Sequence, residues 1–127
     1  MTEAQKRKSK ITRIRNQTIE NMRKLGTFRP EFEVTVQRYA EMRVQYEALS
    51  EKWYDSGCEI TEEYINKAGA SNQRKTALYM SMETLRKELT EMENLFGLTP
   101  KGLRGIRAKG LEEKKESALA KLLKDDG

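Results

Sequence analysis

Residues 94 to 105 read NLFGLTPKGLRG, and this stretch decides how the helical segments of the chain are joined. Gly97 suits the left-handed position that ends a helix, and Leu98 can fold back on the last helical turn. Thr99 can cap a new helix with Pro100 in its first turn. The stretch therefore predicts the end of one helix and the immediate start of another.

The helix that ends at Gly97 is predicted from a heptad-like apolar seam, with Ser71 or Asn72 as its N-terminal cap. The seam residues are separated by alternating steps of four and three: Leu78, Met82, Leu85, Leu89, Met92 and Phe96.

A similar seam lies on a helix predicted over residues 30 to 56, which Pro30 begins and Gly57 ends. The members of this seam are Phe32, Val36, Tyr39, Met42, Tyr46, Leu49 and Trp53. Two such helices form an antiparallel hairpin, seam against seam. A hairpin alone would be marginal, because ordering each residue costs about 1–2 kcal/mol of backbone entropy. We therefore expect the N-terminal helix and other subunits to cover the rest of the hairpin, with both seams as the core of an oligomer.

The remaining segments are less regular. An amphipathic helix is predicted over residues 4 to 25, with a mobile arm in its first ten residues. Residues 57 to 72 form an irregular connector that permits a small β-hairpin. Past Pro100 we expect only a short turn as far as residue 107, because glycine disfavours helix, and then a last helix over residues 111 to 124.

Charge divides the chain into three segments, which we interpret as its domain organisation. Residues 1–29 carry nine basic and two acidic side chains, residues 30–98 carry eight and thirteen, and residues 99–127 carry eight and five. Both ends are therefore basic around an acidic middle. With only two prolines and 35% charged residues, the chain is predicted to have an all-α fold.

Basic termini attract polyanions, and nucleic acid is favoured over a membrane surface because the N-terminal stretch before Phe28 lacks bulky aromatic anchors. Two groups of basic residues are the predicted DNA contacts, the second flanking a glycine-rich turn where backbone can approach a phosphate. They are Lys6, Arg7, Lys8, Lys10, Arg13 and Arg15 in the first group, and Lys101, Arg104, Arg107 and Lys109 in the second.

Catalysis is not expected. The chain has no histidine and one cysteine, Cys58, which excludes a Ser-His or Cys-His nucleophile, a Cys/His zinc site and an intramolecular disulfide. Neither a nucleotide-binding glycine motif nor an apolar run of about 20 residues is present. We therefore expect a cytoplasmic protein without cofactor or metal.

The order of these signals resembles the P27-type small terminase subunits of tailed bacteriophages. The similarity covers residues 11 to 106 and is most specific at Phe96-Gly97-Leu98-Thr99-Pro100, because the third helix of the family typically ends in Leu-Gly-Leu-Thr-Pro. The chain departs from the family pattern in two places: it has Asn72-Gln73 where Asn-Pro is usual, and Lys101-Gly102-Leu103-Arg104 where a Ser-x-Arg-like sequence usually follows Leu-Thr-Pro. The resemblance implies a ring-like homo-oligomer that binds double-stranded viral DNA and regulates the large terminase subunit in the host bacterial cytoplasm.

Two alternatives use the same features. One is a small dimeric helical DNA-binding transcription regulator or nucleoid-type protein. The other is a coiled-coil scaffold with no role on nucleic acid, for which the basic clusters would be solvated surface.

Overall fold

A computed structural model describes residues 1–125. The chain forms the helices α1 (Glu3–Leu25), α2 (Glu33–Asp55), α3 (Ala77–Leu95) and α4 (Pro100–Asp125), and the antiparallel strands β1 (Thr61–Ile65) and β2 (Ser71–Lys75). The prediction of a mainly helical protein is confirmed, and the two strands are the exception to an all-α fold. The predicted third segment, 99–127, ends beyond the described residues.

Helix α1 starts at Glu3 rather than after a mobile arm. The Thr2 hydroxyl accepts the Gln5 amide, and the Gln5 side chain accepts the Thr2 amide in return. This capping box satisfies two amides that would otherwise lack partners at the helix start. The predicted stop at Gly26 is confirmed, with a left-handed φ of 75°.

Helix α2 lies between α1 and α3 and packs against both. The core that joins the three helices has six buried members: Ile19, Met22, Val36, Tyr39, Leu89 and Phe96. The α2–α3 pair is antiparallel, since Tyr39 contacts Phe96 at one end and Trp53 contacts Tyr79 at the other. The predicted helical hairpin is thus confirmed, with α1 covering it.

The two predicted seams supply much of this intrachain packing. Their buried members are Val36, Tyr39, Met82, Leu89 and Phe96. Half-buried members are Met42, Tyr46, Leu49, Trp53, Leu78, Leu85 and Met92. Phe32 is 39% exposed because it lies in a 3₁₀ turn, Pro30–Phe32, that precedes α2.

Tyr39 brings a hydroxyl group into the core. This hydroxyl donates a 2.6 Å hydrogen bond to Oε2 of Glu93 on α3. The Tyr39 ring packs edge to face against the Phe96 ring, with the two centroids 5.5 Å apart. Burial, reinforced by the bond to Glu93, raises the pKa of the Tyr39 phenol. A buried hydroxyl needs such a partner, so this bond aligns α2 and α3.

The permitted β-hairpin forms, but it extends beyond the predicted connector, which ended at residue 72, as far as Lys75. Thr61 pairs with Lys75 and Ile65 with Ser71, and every strand residue is exposed. The prediction that α3 starts at Ser71 or Asn72 is wrong, because both residues lie in β2. Thr76 is the actual cap, its hydroxyl accepting the Tyr79 amide at 3.1 Å.

The junction after α3 forms as predicted. Gly97 has φ 73°, and the amides of Gly97 and Leu98 donate to the carbonyls of Asn94 and Glu93 at 3.1 and 2.9 Å. These two bonds define a Schellman motif. Thr99 caps α4 by accepting the Gly102 amide at 3.0 Å.

Helix α4 is one continuous helix, so the predicted short turn and separate last helix are wrong. Gly102 has a packing role in it, because a Cβ there would collide with the backbone of Asn94. The close approach of α4 to the end of α3 thus explains one of the glycines that argued against helix. Beyond Gly110, residues 111–124 are exposed.

Gly102→Ala should lower the free energy of unfolding by about 1–3 kcal/mol, because the added methyl has to push α4 away from α3. Gly105→Ala is the matched control: a Cβ there meets open space, so the helix should gain about 0.5–1 kcal/mol. Urea unfolding followed by circular dichroism measures both variants. Equal effects would contradict the close helix approach.

Tyr39→Phe should lower the free energy of unfolding by about 1–2 kcal/mol at neutral pH, because it removes the donor to Glu93. Since folding raises the Tyr39 pKa, the stabilisation by Tyr39 is complete below about pH 10 and declines as the unfolded phenol ionises above it. Wild type and variant should therefore converge in stability above about pH 10. Tyr54→Phe, at an exposed position of α2, should change stability by less than about 0.5 kcal/mol.

Candidate nucleic-acid interface

The first group of predicted DNA contacts lies on the amino-terminal half of α1. Because the capping box starts this helix at Glu3, the basic side chains are carried on an ordered helix. Three of them pair with acids: Lys6 with Glu3 at 3.4 Å, Lys10 with Glu47 at 2.9 Å and Arg15 with Glu33 at 3.8 Å. Part of the positive charge of α1 therefore faces the acidic α2.

Sequence reasoning missed the pairing between α1 and α2. Lys10 and Glu47 are 37 residues apart, and only the packing of the two helices brings them together. Arg7 also faces α2, in a groove bordered by Val44, Ala48 and Glu51. The groove explains why the six basic residues do not form one uniform surface.

The opposite side of α1 presents two cations among neutral polar side chains. Lys8 and Arg13 have no ion-pair partner among the residues that the structure describes. They share a shallow surface with Ser9, Thr12 and Asn16, and we call these five residues the outer face of α1. Cations and hydroxyl or amide groups in this combination are the side chains that contact the phosphates and sugars of DNA.

The second predicted group lies on the first turns of α4. All four residues are exposed, and none has an ion-pair partner within residues 1–125: Lys101, Arg104, Arg107 and Lys109. A glycine-rich turn open to phosphate is not found, because these residues are helical and Gly102 faces Asn94. Helical spacing turns Lys109 toward a groove with Glu91 and Leu95.

The two basic groups lie far apart on one chain. The Thr27 hydroxyl, just past α1, donates a 2.7 Å hydrogen bond to the Phe96 carbonyl, so this end of α1 lies beside the start of α4. Lys10 is 17 residues before Thr27, or about 25 Å along a helix. A single chain therefore offers two separate basic surfaces.

Comparison with known protein families decides between the alternative functions predicted for the chain. The model of one family, described as phage terminase, small subunit, matches residues 12–113. The chain belongs to this family. Neither the comparison with curated proteins nor that with solved structures finds a match.

Membership of the small terminase subunit family establishes a role in viral DNA packaging, as a DNA-binding subunit that is not an enzyme. The resemblance seen in the sequence is thereby confirmed. Lys6, Arg7, Lys8 and Lys10 precede the matched residues, so this part of the basic group lies outside the family match. No helix of the described residues has the length and apolar character needed to cross a membrane.

This terminase subunit also has a groove between its three packed helices. Arg43 and Arg86 line it together with Glu47 and Glu93. Both acids are already engaged, Glu47 by Lys10 and Glu93 by Tyr39. The groove therefore has mixed charge, unlike the outer face of α1.

Proposed function

We propose that the outer face of α1 is the main contact of this small terminase subunit with double-stranded viral DNA. The observation that carries the proposal is the combination of Lys8 and Arg13, which form no ion pair within the described residues, with three neutral polar neighbours. Phosphate contacts of this type give affinity without reading bases. The paired residues Lys10 and Arg15 contribute less, because binding DNA would compete with their bonds to Glu47 and Glu33.

The second basic group, on α4, is proposed as an additional DNA contact. Its separation from α1 means that both groups reach DNA only if the duplex spans the chain or if different chains supply them. A ring-like homo-oligomer meets this requirement, because several weak contacts on one assembly raise avidity. The expected setting is the host bacterial cytoplasm.

Assembly is supported by the apolar side chains that one chain leaves in water. Val34, Met80 and Leu95 are 72%, 54% and 76% exposed on α2 and α3, and they add to the half-buried members of the two seams. Burying each such side chain stabilises an interface by about 1.5–3 kcal/mol. The seams thus pack mainly within the chain. In this proposal their outer edges contact a neighbouring copy and form the oligomer core.

The large terminase subunit is proposed to bind the far part of α4. This part is exposed and carries leucines that are each 59% to 68% exposed: Leu111, Leu119, Leu122 and Leu123. An amphipathic helix of this kind fits an apolar groove on a partner.

Lys8→Gln combined with Arg13→Gln should make DNA binding less dependent on salt. The slope of log K against log salt concentration should become shallower by about 0.9 for each phosphate that the variant no longer neutralises. Fluorescence anisotropy of a labelled duplex at several salt concentrations measures this slope.

Lys10→Gln combined with Arg15→Gln is the matched control, because it removes the same charge from the paired side of the same helix. Its slope should stay closer to that of the wild type, and circular dichroism should show equal helix content in both double variants. Equal slopes for the wild type and the Lys8/Arg13 variant would overturn the assignment.

A further inference from the structure

The β-hairpin has no cover within the described residues of the chain. Every residue of β1 and β2 is exposed. Two contacts join the base of the hairpin to the helices. The Trp53 Nε1 donates to the Glu59 carbonyl at 3.1 Å, and Lys75 forms an ion pair with Glu83 at 3.0 Å. An isolated two-stranded hairpin is marginally stable in water. A partner that adds strands would remove this weakness.

Both edges of the hairpin are open. The Thr76 amide donates to the Ile60 carbonyl and the Asn66 amide to the Ala70 carbonyl, each at 3.0 Å. Hydrogen-bonded and non-hydrogen-bonded pairs alternate in an antiparallel ladder, so every second residue directs its backbone groups away from the partner strand. These outward residues are Thr61, Glu63 and Ile65 on β1 and Ser71, Gln73 and Lys75 on β2.

The two strands carry opposite charge. Glu62 and Glu63 make β1 acidic, whereas Arg74 and Lys75 make β2 basic. Within the hairpin the opposite charges form an ion pair across the two strands, since Arg74 Nε lies 3.0 Å from Oε1 of Glu62. Like charges on adjacent strands are destabilising.

The chemistry of the hairpin fits a protein partner better than DNA. Residues 59–76 carry three acids and three basic residues, so they offer no net attraction to phosphate. Ile60, Tyr64 and Ile65 are 45%, 39% and 65% exposed, which favours contact with another apolar surface.

We propose that hairpins of neighbouring copies pair edge to edge, with β2 of one copy against β1 of the next. In this head-to-tail order an acidic strand lies beside a basic strand, as it does within one hairpin. Pairing β2 with β2 would instead place the basic side chains of two copies next to each other. The same interface then recurs from copy to copy, and such interfaces close into rings when the rotation allows. The inference rests on the proposed homo-oligomer and adds the contact that joins its members.

Hydrogen exchange with residue resolution, on the full-length protein without DNA, tests the pairing. In the assembled protein the outward amides of both strands should exchange at least about tenfold more slowly than unstructured amides, as the inward amides do. Outward amides that exchange at the unstructured rate beside protected inward ones would overturn the proposal, as would protection that appears only after DNA is added.

Gln73→Pro provides a second test, because it removes an outward donor and leaves the internal ladder intact. Gln73→Thr is its matched control, since it alters the side chain and keeps the amide. The proline variant should lose the assembled mass in light scattering while the threonine variant keeps it, with equal helix content by circular dichroism.

An assembled mass unchanged by Gln73→Pro would contradict the edge pairing alone and leave the proposed oligomer standing. A wild-type monomer would contradict both. The salt slope of the Lys8/Arg13 variant is measured separately from the assembled mass, so failure of the edge pairing remains distinguishable from failure of the proposed DNA contact.

Discussion

The hydrogen bond from the Thr27 hydroxyl to the Phe96 carbonyl joins the ends of α1 and α3, and the positions of the other elements follow from this junction. Thr27 and Phe96 each lie at the end of a helix closed by a left-handed glycine, Gly26 or Gly97. The space between them is tight, because a Cβ on Gly97 would lie 2.9 Å from Cγ2 of Thr27. The Phe96 ring packs on Tyr39 of α2, so three helices meet at one place.

The fourth helix is set by the same junction. Thr99 donates to the Asn94 side chain and caps α4, and Gly102 lets that helix pass close to Asn94. The remainder of α4 leaves the helical body and is exposed. One end of the molecule is therefore closely packed, while the basic start of α1, the β-hairpin and the far part of α4 are available for partners.

Local signals predicted the parts of this fold that depend on local chemistry. Gly97, Leu98 and Thr99 act as a stop and a start because their backbone preferences are satisfied within a few residues. The antiparallel α2–α3 pair followed from two matching apolar periods. The family could be identified from the same stretch, since it combines these local requirements with a specific residue order.

Features that depend on distant residues could not be predicted. Gly102 predicted a break in the helix, because its close approach to Asn94 is not visible in the sequence. The start of α3 was misplaced because Ser71 and Asn72 pair with β1 and form part of a strand. Sequence alone could not predict that Lys10 forms an ion pair while Lys8 forms none within the described residues. Their difference is set by where α2 places Glu47, and it changes which surface we assign to DNA.

Two claims stand together, that this subunit binds double-stranded DNA and that several copies act together. Native mass spectrometry of the purified full-length protein, with and without a double-stranded DNA fragment, tests both in one measurement. We expect a single multimeric mass that increases by the mass of one duplex when DNA is added. A monomer that acquires no duplex would contradict both claims.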